Sequence, residues 1–370
     1  MSKHVGIVGW RGMVGSVLLD RMIEERDFDH VEAHFFSTSQ AGQPGPLVGQ
    51  KATGSLQDAT QVAALAKMDV IISCQGGDYT KEMHPALRKS GWKGYWIDAA
   101  STLRMDPGAV IVLDPVNESV MRKAIAAGVK DLIGGNCTVS LMLMATAELF
   151  RQGWVQWVNA STYQAASGAG AKNMRELVAQ MRSIGHAASD LVDDPAASAL
   201  ALDKRVMETL HGETFPKKEF GAPLAASLIP YIDRAVDDGQ TREEWKGMVE
   251  ANKILGTNPA IPVDGVCVRV GAMRSHSQAL TIKLTKDVPL DEVNDALARS
   301  NAWVRVVPNT KEDTLRSLSP AAVSGTLDVA IGRVRKMKMG NDFVSAFTVG
   351  DQLLWGAAEP LRRTLRMLID

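Results

Sequence analysis

A chain of 370 residues, 45% hydrophobic and 22% charged, has the length for two domains and the composition of an ordinary globular protein. Its formal net charge of −1 gives no general affinity for nucleic acid or an anionic membrane, so any phosphate site must be built locally from a few cations. Three cysteines (Cys74, Cys137, Cys267) without metal-ligand spacing fit a reducing compartment better than a disulfide framework; with no leader-like segment and no apolar run of membrane-spanning length, a cytoplasmic protein is expected.

His4–Val8 reads as a short apolar strand. The turn Gly9-Trp10-Arg11-Gly12-Met13-Val14-Gly15 follows, and Ser16 to Glu25 has helical spacing with Val17, Leu18, Met22 and Ile23 apolar. Strand, glycine turn and helix together let backbone N–H groups approach a pyrophosphate at a helix start. The spacing is G-x-x-G-x-x-G rather than G-x-G-x-x-G, and a glycine turn without a ligand is the plain alternative. The second strand, Val31–Phe36, ends in Ser37-Thr38-Ser39. An NAD site commonly carries an acidic residue there for the ribose; hydroxyls with Arg11 nearby suit a 2′-phosphate, so NADP is favoured.

Asp69–Cys74 is a buried-strand run, followed by Gln75-Gly76-Gly77 and a helix to about Ser90. Trp96–Ala99 and Val110–Val112 look like further strands, and Leu132-Ile133 leads to Gly134-Gly135-Asn136-Cys137. This alternation predicts a parallel sheet covered on both faces, with Gly9, Ser73, Gln75 and Cys137 just past strand ends, where such sheets bind ligands. Leu141 to Phe150 reads as a helix, which places Cys137 at its N-terminus. The unpaired N–H groups and positive dipole end there favour thiolate over thiol and offer donors to an oxyanion.

Beyond it, Trp157–Ala166 alternates like a strand and ends in Gln164-Ala165-Ala166-Ser167-Gly168-Ala169-Gly170. A helix is expected from about Ala171 to Ile184, and Asp190–Pro195 reads as an acidic loop. Thr241-Arg242-Glu243-Glu244 is a capping box, and Glu243 and Lys246 share a face of the helix it starts. On pattern alone that pair reads as a surface ion pair. Val266–Val270 is a strand holding Arg269, costly unless an anion meets it, and His276 opens the next strand as the best general acid–base among seven histidines. Leu327–Val334 and Phe343–Val349 read as strands, and a last amphipathic helix runs from Gly350 to Asp370 with Leu354, Leu361, Leu365 and Leu368 on its apolar face, returning to the first domain.

Across essentially its whole length the sequence resembles the aspartate-semialdehyde dehydrogenase family of Gram-negative bacteria. The resemblance is carried by Gly9–Gly15, Gly134-Gly135-Asn136-Cys137-Thr138, Tyr163–Gly168, Arg269–His276 and Gly350-Asp351-Gln352-Leu353. It implies a Rossmann-type parallel-sheet domain (residues 1–135, completed by 351–370) and an α+β catalytic and dimerisation domain with a mixed sheet (136–350). It further implies Cys137 as nucleophile, His276 as acid–base, and Gln164 as the group that orients the substrate. Arg269 would take the substrate α-carboxylate, Glu243 its ammonium, and Arg104 and Lys246 the phosphate, with Asn136 nearby. Gly9, Arg11, Gly12, Met13, Val14, Thr38, Ser39, Ser73, Gln75, Ser167, Gly168 and Gln352 would contact NADP. A homodimer is implied and no metal; the substrates would be aspartyl phosphate, aspartate semialdehyde and phosphate. Another acyl-phosphate reductase of the same plan, or a non-catalytic NADP-binding regulator, are the rival expectations.

Overall fold

The computed structural model describes residues 2–236 and 239–369, so the expected last helical residue, Asp370, lies outside the described residues. Seven strands make the first sheet: β1 (Lys3–Val8), β2 (Val31–Ser37), β3 (Gln57–Asp58), β4 (Val70–Ser73), β5 (Tyr95–Asp98), β6 (Ala109–Val112) and β7 (Asp131–Gly134), in the order β3-β2-β1-β4-β5-β7-β6. Every pairing is parallel. Strands β4 and β6 are short, mostly apolar and buried along their whole length, as strands covered from both sides are. Helix α1 (Met13–Glu24) follows β1, and α2 (Gly77–Lys89) follows β4, each starting at the carboxyl end of its strand. Gly9 turns the chain there with φ +75°, and a Cβ on it would lie 2.5 Å from the Cys74 carbonyl carbon, so only glycine passes.

Helix α3 (Cys137–Arg151) leaves β7 and is buried on all sides from Thr138 to Ala147. It is the central helix of the second half, which explains why its sequence is apolar all round rather than amphipathic. Eight strands form the second sheet: β8 (Val155–Gln164), β9 (Leu228–Ile229), β10 (Val263–Asp264), β11 (Cys267–Val270), β12 (His276–Leu284), β13 (Val304–Val306), β14 (Val329–Met337) and β15 (Gly340–Gly350). The order is β9-β11-β8-β12-β15-β14-β13, with β10 also on β8. Parallel and antiparallel pairs mix: β8 runs with β11 but against β12. Leu143, Leu149, Val158, Leu280, Ile282 and Val344 fill the core between α3 and this sheet.

Register places the chemistry. Gln164 stands opposite Arg269 on β11, and His276 stands opposite Gly350 on β15. These residues therefore meet at one end of the second sheet, facing the start of α3. The chain then crosses back: Leu361 and Leu365 of α6 (Glu359–Ile369) bury among Val5, Ile7 and Ile97 of the first sheet. A turn of π-helix, Leu354–Ala358, precedes α6 in place of the continuous helix expected from Gly350.

Two expectations need correction. Helix α4 starts at Ala171 as read, but runs to Asp193 and absorbs most of the expected acidic loop. Arg205 holds its last turns by donating to the Ala187 carbonyl at 2.8 Å and reaching Asp190 at 3.3 Å. The helix α5 (Arg242–Leu255) carries the expected capping box on Thr241 and Glu244, but Glu243 and Lys246 on it are buried, not a surface pair.

Candidate active site

Cys137 is the first residue of α3, half-buried at the wall of a cleft of about 490 Å³. Met13 and Val14 line the cleft from α1, Arg104, Asn136 and Gln164 from the strand ends, and Glu243, Lys246 and Arg269 from the second half; Ser167, Gly168 and Gln352 complete it. Gly356 backs Cys137: a Cβ there would lie 2.7 Å from that of Cys137. Nothing in the local sequence marked Gly356, because the contact is made across the fold.

Asn136 caps α3. Its Oδ1 accepts from the N–H groups of Thr138 at 3.0 Å and Val139 at 3.1 Å. Two of the donors expected for an oxyanion are thus already used, which corrects that expectation. The thiolate expectation is also corrected. Burial pushes the Cys137 thiol up to about 12 and the Glu243 carboxylate adds to this, while Arg104, Arg269 and Lys246 pull the other way.

His276 is fully buried. Its Nδ1 accepts from the Ala165 N–H at 3.0 Å, so the neutral ring carries its proton on Nε2, which has no partner. Burial, reinforced by Arg269, pulls this imidazole down to about 3, so it is neutral throughout the physiological range. Gly168 lies against the same edge: a Cβ there would sit 3.1 Å from His276 Nε2 and 2.8 Å from the Arg269 guanidinium.

The charged groups fall into a chain. Glu243 bonds Lys246 at 2.8 Å, the Asn136 amide at 2.9 Å and Gln164 at 3.3 Å. Burial raises its carboxyl, but Lys246 and the Asn136 bond outweigh that and hold it below the ordinary carboxylate range. Gln164 also donates to Thr162 Oγ1 at 3.1 Å. Lys246 has a second partner in Asp233 at 3.1 Å, and Arg104 pairs with Glu250 at 3.2 Å while donating to the Gly134 carbonyl at 2.6 Å. Glu250 also accepts from the Asn136 N–H at 2.7 Å. Asp233 and Glu250 were not anticipated; they act over sequence separations that no local pattern reports. Arg269, also buried, donates to the Ala165 carbonyl at 2.7 Å, and among the described residues no carboxylate lies within ion-pair distance of it.

The turn between β1 and α1 fits a dinucleotide. Gly12 caps α1 without a side-chain hydrogen bond, so the first N–H groups around Met13 and Val14 keep their valence for a ligand. Ser73 ends β4 buried, with its Oγ unpartnered. Thr38, Ser39, Gln75 and Arg11 gather on an exposed rim: Gln75 donates to Thr38 Oγ1 at 3.3 Å, Arg11 donates to Gln40, and Ser37 Oγ accepts from the N–H groups of Ser39 and Gln40. At the inner end, Gln352 donates to Ser167 Oγ at 2.8 Å.

Comparison with known proteins agrees with this plan. A family model for the semialdehyde dehydrogenase NAD binding domain matches residues 4–124, and one for the semialdehyde dehydrogenase dimerisation domain matches residues 147–355. A solved aspartate semialdehyde dehydrogenase from Francisella tularensis is 50% identical, with 100% of each chain covered and a TM-score of 0.94. Two more distant structures share the fold. Aspartate semialdehyde dehydrogenase II from Vibrio cholerae, solved in complex with ASA, is 22% identical with a TM-score of 0.78, covering 100% of this chain and 98% of that one. The enzyme from Candida albicans, solved with NADP, is 16% identical with a TM-score of 0.63, covering 100% and 99%.

Proposed function

The chain belongs to the aspartate-semialdehyde dehydrogenase family, and we propose that it converts L-aspartyl-4-phosphate and NADPH reversibly into L-aspartate-4-semialdehyde, phosphate and NADP through a thioester on Cys137. The observation that carries this reading is the convergence of Cys137, Gln164, Arg269, Glu243, Lys246 and Arg104 on one cleft beside the glycine turn. In this reading residues 1–135 with 351–370 bind the nucleotide and 136–350 bind the substrate and pair two subunits.

The substrate docks by charge. Arg269, buried without a carboxylate of its own, takes the α-carboxylate, and Glu243 takes the ammonium. Lys246 and Arg104 face the phosphate. Ammonium binding at Glu243 offsets one of the charges that hold the Cys137 thiol up, so the substrate helps to ionise its own nucleophile. Sulfur attacks the acyl carbon as the C–O bond to phosphate breaks; the thiol proton ends on the departing phosphate, which leaves toward the two cations. When bound, NADPH supplies the hydride that reduces the thioester. The tautomer of His276 presents Nε2–H as a hydrogen-bond donor to the oxyanion of the tetrahedral adduct while Gln164 fixes the acyl group beside the sulfur; collapse of that oxyanion breaks the C–S bond, releasing the aldehyde and returning the Cys137 sulfur.

NADP rather than NAD is supported by the end of β2, which offers Thr38 and Ser39 with Arg11 across the rim and no acidic side chain from Phe35 to Gln40. A homodimer is supported by the matched dimerisation domain and by exposed Tyr163, Val178, Met181 and Tyr231. One assay tests the whole reading: aspartate semialdehyde, phosphate and NADP must yield NADPH, with strict dependence on phosphate. A higher kcat/KM with NAD would overturn the cofactor assignment, and reduction of N-acetylglutamyl phosphate in preference to aspartyl phosphate would overturn the substrate.

A further inference from the structure

His4 on β1 and Glu32 and His34 on β2 form a cluster that the reaction does not use. The parallel register sets His4 opposite Glu32 and Gly6 opposite His34, so both imidazoles and the carboxylate stand on one face of the sheet. Gly6 puts no side chain between the rings. His4 Nδ1 lies 3.1 Å from His34 Nε2, and Glu32 reaches both rings at 3.5 Å, Oε2 toward His4 and Oε1 toward His34. A tetrahedral zinc ion at ordinary Zn–N and Zn–O lengths holds its donor atoms about 3.3–3.4 Å apart. The two nitrogens stand close to that spacing, each carboxylate oxygen lies beside a different ring, and with one donor atom from each residue the three fall within 4.8 Å of one another, close enough to share one ion.

The surroundings suit a ligand role. The Gln57 side-chain amide nitrogen lies 3.3 Å from His34 Nδ1, and the amide can be turned over without changing its shape. With its oxygen turned to the ring it accepts Nδ1–H and leaves the Nε2 lone pair for a metal, the outer contact that a ligating imidazole usually makes. Among the described residues this is the group of three side chains whose donor atoms converge closely enough to share one ion. No sequence spacing revealed it, because its members come from two strands that pair across 27 intervening residues, between His4 and Glu32.

We propose that His4, Glu32 and His34 bind one divalent transition-metal ion of the zinc class, with water in the fourth position. The ion ties β1 to β2 at the end of the sheet opposite the cleft. It stabilises the nucleotide-binding sheet and takes no part in turnover.

The test uses untagged full-length protein carrying Cys137→Ser, which removes the active-site thiol as a competing ligand. Zinc chloride is titrated by calorimetry, and cobalt(II) chloride by visible absorption. One equivalent should bind, and the cobalt spectrum should show d–d bands without a sulfur-to-metal charge-transfer band. Glu32→Gln and His4→Asn should each weaken binding by roughly tenfold or more. Zinc should raise the melting temperature of the parent protein and not that of Glu32→Gln. Glu32 is exposed, so this variant folds, and its turnover in the otherwise native enzyme should equal the parent's. Absence of the equivalent, binding that survives both substitutions, or a charge-transfer band would overturn the site without touching the proposed reaction.

Discussion

The molecule buries two clusters of opposite charges on different terms. Beneath the last helix, Arg362 donates to Glu359 at 2.8 and 3.1 Å and to both oxygens of Asp27 at 3.1 and 3.2 Å, while Arg21 donates to Glu359 at 3.0 Å. That cluster is closed: it fastens α6 to α1 and needs no further partner. In the cleft, Glu243, Lys246, Asn136, Glu250 and Arg104 satisfy one another, but among the described residues Arg269 has a single carbonyl and the Nε2–H of His276 has no partner. Desolvated polar groups left with spare valence cost stability unless a ligand completes them. Buried charge alone does not mark a functional site; unspent hydrogen-bonding capacity beside a nucleophile does.

The sharpest way to break this contrast is at the nucleophile. Cys137→Ser should lower phosphate-dependent turnover by about 10⁴-fold or more, since a hydroxyl in this setting is a far weaker nucleophile than a thiolate. Its melting temperature should stay near the parent's, because one sulfur at the cleft wall contributes little to the core. Activity within tenfold of the parent would remove Cys137 from the mechanism.

The closed cluster should answer in the opposite currency. Glu359→Gln leaves Arg21 and Arg362 short of a buried counter-charge and should lower the free energy of unfolding in urea by about 3–5 kcal/mol. Below the unfolding transition, kcat and KM should match the parent. A variant of parental stability but reduced turnover would show that this cluster too serves the reaction.

Arg269→Leu should give the mirror image. Removing a desolvated, weakly paired charge should leave stability unchanged or higher. Meanwhile kcat/KM for aspartate semialdehyde should fall by about 10²–10³-fold, the cost of a lost buried charge pair with a ligand. NADP affinity, measured by fluorescence quenching, should change by less than about twofold, because the carboxylate site and the nucleotide rim are separate. Equal losses of both ligands would dissolve the distinction between them.

Much of this was legible in the sequence, and the boundary of legibility is physical. The first sheet could be read except for its edge strand β3, a polar pair that carries no strand signal, because alternation, glycine turns and helix starts are local signals. So could the placement of Gly9, Ser73 and Cys137, which follow from strand ends alone. The second sheet's strand order could not, since β8 pairs with strands over 100 residues away. Nor could the burial of Glu243 and Lys246: an i, i+3 pair looks the same on any face, and only β8 and the start of α3 make this face an interior one. Helix α4 outran its expected end because acidic residues are poor company for a helix C-terminus, and the contact that overrides them comes from Arg205. The state of Cys137 was misjudged for a related reason. The helix dipole was visible in the sequence, whereas the burial of the thiol and the neighbouring Glu243 were not.

That misjudged state yields the smallest expected effect. With the resting thiol near 12, alkylation of Cys137 by iodoacetamide should be slow at neutral pH. It should rise about tenfold per pH unit from pH 7 past pH 9 without levelling, because thiolate is the reacting form. A plateau near neutrality would restore the low-pKa thiolate. Glu243→Gln then isolates the electrostatic part: it removes the anion that raises the thiol and leaves Arg104, Arg269 and Lys246, which lower it. The pKa must fall, so alkylation at pH 8 should be faster by about threefold to tenfold, corresponding to up to one pKa unit or 1.4 kcal/mol. Under the proposed docking of the substrate, its ammonium makes the same change at Glu243. An aspartate analogue that keeps its ammonium and lacks an electrophilic carbon should therefore accelerate alkylation in the parent and not in Glu243→Gln. Slower alkylation in Glu243→Gln would mean that the carboxylate works through Lys246 or Asn136 rather than through its own field on the sulfur.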